Sequence, residues 1–119
     1  MEQELFFKLI ESGDLKDVYD LVENFPALVH IKKVTGETGL HMAIIRKNIL
    51  LSCYLIGMCS NVNSQDNDGN TPLIIASFIQ NVELVKTLLL FGGNPNIKNN
   101  KYKSAIDFSR TKEISLLLS

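Results

Sequence analysis

Tryptophan is absent from this 119-residue chain, and cysteine is scarce, at two residues, Cys53 and Cys59. Two cysteines make no disulfide framework. They stand six apart with no second Cys or His pair beside them, so the spacing of a zinc site is missing as well. Only three prolines and seven glycines occur, which excludes collagen-like and low-complexity chains. Long apolar runs are also lacking. The best candidate, residues 49–59, falls short of the ~18 residues a membrane helix needs and contains Ser52. No Asn-x-Ser/Thr sequon occurs, and the opening stretch MEQELFFKLIESGD is acidic where a secretory signal would be basic. These absences lead to the expectation of a cytoplasmic or nuclear protein, not secreted through a signal peptide. Charge of one sign is lacking too: a net charge of −1 predicts no general attraction to nucleic acid or membranes.

What is present is an apolar content of 45%, enough for one small folded domain. Its charge is uneven. Residues 1–31 hold seven acids against Lys8 and Lys16, whereas residues 32–119 hold ten bases against six acids. The stretch 66–77, DNDGNTPLIIAS, reads as a turn followed by a helix start. Gly69 is free to take positive φ, the Thr71 hydroxyl suits an N-cap, and Pro72 suits the first helical position. The stretch recurs. Shifted back by 33 residues it meets GETGLHMAI (36–44), with Gly36 on Gly69, Thr38 on Thr71, Leu40 on Leu73 and Ala43 on Ala76. LIGMCSNVN (55–63) aligns with LLLFGGNPN (88–96) in the same register. Shifted forward it meets YKSAIDFS (102–109), with Ser104 as the cap and Ile106 on Leu73. ELFFKLIESGDLKDVYDLV (4–22) supplies a first frame with one residue of slippage. Leu84, Val85, Leu88 and Leu89 share one helix face, and a single helix pair cannot bury such a face alone, so neighbours must stack.

Period and residues together resemble the ankyrin-repeat family, whose pattern runs Gly-x-Thr-Pro-Leu-His, then alanines, then Val-Asn. The second unit keeps Gly36, Thr38, Leu40, His41, Ala43, Val62 and Asn63 of that pattern. The resemblance implies an all-α solenoid of stacked helix-turn-helix units with hairpin-like loops. Its expected divisions are an N-terminal capping repeat (1–32), repeats at 33–65 and 66–98, and a truncated C-terminal capping repeat (99–119) with Thr111 as a cap. A short, self-capped, stand-alone array, monomeric on its own, is expected. Departures from the pattern carry expectations of their own. Gly39 stands where the family has Pro, so Gly39→Pro is expected to stabilise by about 0.4–1 kcal/mol. Lys47 and Gln80 stand where the family has a helix-linking Gly. If that site is left-handed, each costs about 1 kcal/mol, and their Gly variants should be more stable.

Signs of catalysis are few. No glycine elbow, phosphate loop or His-x-x-x-His spacing occurs, and no enzyme activity or cofactor is expected. SQDNDGN fails as a calcium loop, because aligning Gly69 with the invariant glycine puts Ile75 where a bidentate Glu is required. His41 falls on the family's His position, where the resemblance gives the imidazole a role bridging loop backbone. His30 falls on its Asn position at a repeat junction.

The resemblance further implies protein–protein interaction, through the hairpin tips and the concave face of each first helix. Carried onto this chain, the tip positions are Val34, Thr35 and Glu37, then Asn67, Asp68 and Asn70, then Asn100, Lys101 and Lys103. The helix positions are Ile45 and Arg46, then Phe78 and Ile79. Apolar groups at Ile45 and Phe78 suggest an interface, while Ile79 is open between core and surface. The partner is expected to be another protein, with the chain acting as adaptor or inhibitor of a signalling protein. A regulatory subunit or assembly chaperone with one stoichiometric partner is the alternative. Ten lysines against two arginines, with abundant Asn and Ile, fit an AT-rich genome such as that of a virus, intracellular bacterium or protist. Asn63 and Asn96 each follow a Leu by eight residues, the family spacing for asparagine hydroxylation by an oxygen-sensing enzyme.

Overall fold

The computed structural model describes residues 1–59 and 61–119. Seven α-helices occur among them: α1 (Glu2–Ser12), α2 (Leu15–Asn24), α3 (Gly39–Ile45), α4 (Ile49–Met58), α5 (Pro72–Phe78), α6 (Val82–Leu90) and α7 (Lys112–Leu118). Short 3₁₀ segments cover Pro26–His30 and Ala105–Phe108. Helices α3 and α5 have seven residues each, too few to persist alone in water, so tertiary stacking must hold them. Helix α1 packs on α3, α3 on α5, and α5 on the 105–108 segment, while α4 packs on α6 and α6 on α7. The result is two helical layers in a body of 41 × 25 × 22 Å.

Local chemistry sets the helix starts. Thr38, Thr71 and Thr111 accept from the backbone N–H of His41, Ile74 and Ile114. Asn48 and Asn81 do the same for Leu51 and Leu84 at the second helices. The core runs unbroken between the layers through Phe6, Ile10, Leu40, Ile44, Leu55, Leu73, Leu84, Leu88 and Ile114, all at 2% exposure or less.

Three sequence expectations change here. Gly39 does open α3, but an added Cβ there would lie 2.6 Å from Ile10 Cδ1 and 2.7 Å from Phe6 Cζ. Both neighbours are fully buried, so α1 packs against bare backbone and a pyrrolidine ring has no room. Lys47 and Gln80 are both left-handed, at φ 60. Gln80, however, donates from Nε2 to the carbonyls of Ser77 (2.7 Å) and Phe108 (2.8 Å) and accepts from the Arg110 N–H (3.1 Å). A glycine would lose all three bonds. Finally, Ile106 does not take the buried place of Leu73. The last unit's first helix is a single 3₁₀ turn, which buries Ala105 and leaves Ile106 38% exposed.

Candidate partner-binding surface

Three tips of one design project beside the first helices. In each, a backbone N–H reaches the carbonyl four residues on: Lys33 to Glu37, Asp66 to Asn70, and Asn99 to Lys103. Gly36 and Gly69 sit at φ 81, and a Cβ on either would collide with the Asn of the following tip, at 2.5 and 2.6 Å. Tyr102 fills the equivalent position of the last tip at φ 61 with an exposed side chain. Adjacent tips are tied by backbone bonds from Asn67 N–H to the Thr35 carbonyl and from Asn100 N–H to the Asp68 carbonyl, both 3.0 Å. The side-chain amides of Asn67 and Asn100 add bonds to the carbonyls of Val34 (2.7 Å) and Asn67 (2.8 Å).

His41 stands behind this row and is fully buried. Its Nδ1 accepts from the Thr38 N–H at 3.1 Å, and Nε2 lies 3.0 Å from the Asn70 carbonyl, which fixes the proton on Nε2. Burial lowers its pKa from the ordinary 6.5. The imidazole thus joins one unit to the next tip. Cys59 is largely buried and its thiol is pushed up to about 11 by desolvation, so little reactive thiolate forms near neutral pH. Among the described residues no three His, Cys, Asp or Glu side chains group as metal ligands.

Where the last two tips meet α5, a cavity of about 370 Å³ opens, lined by Asp68, Asn70, Ile74, Ile75, Phe78, Asn99, Asn100, Lys101 and Phe108. Ile74 and Ile75 are buried in its floor. Phe78 is 53% exposed and meets Phe108 edge-on, with ring centroids 5.8 Å apart and planes at 80°. The Arg110 guanidinium lies 5.8 Å from the Phe78 ring centroid. Of the residues anticipated from sequence, Asp68, Asn70, Phe78, Asn100 and Lys101 come together here. Lys103 is exposed two residues along the same tip, and Ile79 is half-buried against the core. Ile45 (46% exposed) and Arg46 lie at the end of α3 outside the cavity, and Glu37 accepts from the Thr35 hydroxyl on the first tip. Asn67 is exposed at its tip, with its amide nitrogen bonded to Val34. The Asn63 amide bridges the Gly92 carbonyl (3.1 Å) and the Asn94 N–H (2.7 Å), whereas Asn96 is exposed.

Sequence reasoning passed over Ile74, Ile75, Asn99 and Phe108. The signal was available in the period: Phe108 lies 33 residues after Ile75, and Ile75 lies one helical turn before Phe78.

A family model described as ankyrin repeats in three copies matches residues 6–99. The chain is 33% identical over 88 residues to the 26S proteasome non-ATPase regulatory subunit 10 of Dictyostelium discoideum, covering 73% of this chain and 38% of that protein. It is 29% identical over 110 residues to the putative ankyrin repeat protein FPV031 of fowlpox virus, covering 84% of this chain and 32% of the viral protein. It is 30% identical over 87 residues to alpha-latroinsectotoxin-Lt1a of Latrodectus tredecimguttatus, covering 73% of this chain and 6% of the toxin. The chain therefore spans well under half the length of each of these relatives.

Proposed function

Since the chain belongs to the ankyrin-repeat family, we propose that it is a non-catalytic module that binds another protein through its concave face and loop tips, as adaptor or inhibitor of a signalling protein. The observation that carries this reading is the half-exposed Phe78 ring, backed by the partly buried Phe108 over an isoleucine floor and rimmed by polar tips. An exposed aromatic beside an Arg, as Phe78 is beside Arg110, is the usual makeup of an interface hot spot. The test is affinity capture from native cell or host lysate, with wild type against Ile45→Glu, Phe78→Glu. Both side chains are about half exposed, so the variant should keep its helical circular dichroism. A protein recovered by wild type and lost by the folded variant supports the reading. Identical captures overturn this surface as the interface.

A second reading, as regulatory subunit or assembly chaperone, is favoured by the likeness to a protein named as a proteasome regulatory subunit. It requires a single partner at one-to-one stoichiometry and a salt-sensitive contact, given the acidic first 31 residues and the basic remainder. Asn96 is the better placed of the two spaced asparagines for hydroxylation, because the Asn63 amide is engaged on both sides. Co-expression with an asparaginyl hydroxylase should add the mass of one oxygen to the Asn96 peptide before the Asn63 peptide.

A further inference from the structure

We infer that the groove beside the last two tips takes an acidic peptide segment that inserts one apolar side chain, an inference that rests on reading the chain as an interaction module. The space is suited to a single anchor. A cavity of about 370 Å³ with Ile74 and Ile75 beneath and Phe78 and Phe108 at the side accommodates one aromatic or branched aliphatic group.

The rim supplies the charge preference. Lys101 lines the groove, Lys103 stands two residues along the same tip, and Arg110 leans over Phe78. The one ion pair among the described residues is Lys16–Asp20, so these three cations have no carboxylate partner there. Two acids stand near them. Asp107 is occupied in accepting from the Ser104 N–H at 2.8 Å, and Asp68 is exposed at the groove edge. Three bases thus stand against two acids, one of them engaged, so the balance around the groove is modestly positive and favours carboxylates.

The polar groups distinguish a peptide from a nucleic acid. Asn99 Nδ2 donates to Asn70 Oδ1 at 2.9 Å, which leaves the Asn70 amide NH₂ and the Asn100 amide oxygen as a donor and an acceptor toward a guest backbone. Asp68 at the groove edge can accept a guest backbone N–H, a donor that a peptide offers at every residue except proline. Phe78 and Phe108 meet edge-on, so they do not offer successive parallel faces for stacked bases.

The test uses random dodecapeptides displayed on phage, selected on the intact chain. The recovered sequences are then synthesised with a fluorophore and titrated by anisotropy. Peptides with one Phe, Leu or Ile flanked by Asp or Glu are expected. Their affinity should fall about tenfold in Phe78→Ala and about tenfold in Lys101→Glu, Lys103→Glu, and should weaken as salt rises from about 50 to 500 mM. All three side chains are exposed, and an unchanged melting temperature certifies each variant. Neutral or basic peptides, or indifference to the charge reversal, overturn the acidic specificity while leaving the interaction module intact. Failure to select any peptide overturns the groove as a peptide site, and the lysate capture then judges the module separately. Phe78-dependent binding of a labelled single-stranded oligothymidine would assign the groove to nucleic acid and overturn both.

Discussion

Lys47 links α3 to α4 at φ 60, a left-handed conformation in which an L side chain crowds its own carbonyl at a cost of about 1 kcal/mol. Its side chain is exposed and takes part in none of the hydrogen bonds among the described residues. Lys47→Gly should therefore stabilise by about 1 kcal/mol, a rise of a few degrees in melting temperature. Gln80 has the same φ, but its amide makes three hydrogen bonds, each worth about 0.5–1.5 kcal/mol net. Gln80→Gly should destabilise by about 0.5–3.5 kcal/mol, because the bonds outweigh the relieved strain. Equal shifts in both variants would mean that the Gln80 amide contributes nothing. His41 adds a pH dependence. Its folded pKa lies below the ordinary 6.5, so on acidification the unfolded chain takes up the proton first. The contribution of the neutral imidazole is fully present above pH 6.5 and declines as pH falls below it. Urea midpoints should drop between about pH 7 and pH 5.5, and His41→Asn should be less stable but flatter over that window. A wild-type midpoint that is level there would refute the buried neutral imidazole.

At the scale of the element, legibility followed capping chemistry. Thr38, Thr71 and Thr111 are short-range signals, and each does begin a helix. The final unit was less legible because a 3₁₀ segment turns every three residues, which rotates Ala105 into the core and Ile106 out of it. Gly39 could not be read from its own sequence neighbours. Its requirement comes from Phe6 and Ile10, more than 25 residues earlier, on a helix whose register slips by one. The same Pro that fits at Pro72 fails there because α1 approaches the backbone of α3 closely. Gly39→Pro should thus destabilise by about 1–3 kcal/mol, the range for overpacking a close-packed core. Thermal melts decide this, since a stabilised Gly39→Pro would place α1 farther from α3. Phe6→Leu, by shortening the ring that Cβ meets, should recover part of the loss when combined with Gly39→Pro.

For the whole molecule, the groove was harder to read than the fold because it is a product of stacking. Period and turn residues repeat locally, but Phe78 meets Phe108 only when α5 and the 105–108 segment lie side by side. Stability is distributed in the same way. In a stacked array each unit is held by its neighbours, so end units open more readily than central ones. The last unit is attached through Ala105, Ile114 and Leu118, a 2.6 Å bond from the Ser77 hydroxyl to the Ala105 carbonyl, and the Gln80 amide. Hydrogen exchange should accordingly find α7 less protected than α3 and α5. Gln80→Ala isolates the amide, because alanine keeps the Cβ and its left-handed strain while removing the bonds. The variant should speed exchange in α7 by about tenfold, equivalent to about 1.4 kcal/mol, and leave α1 and α2 nearly unchanged. Uniform acceleration along the chain would show instead that it opens as one cooperative block, with the Gln80 bonds felt equally at both ends.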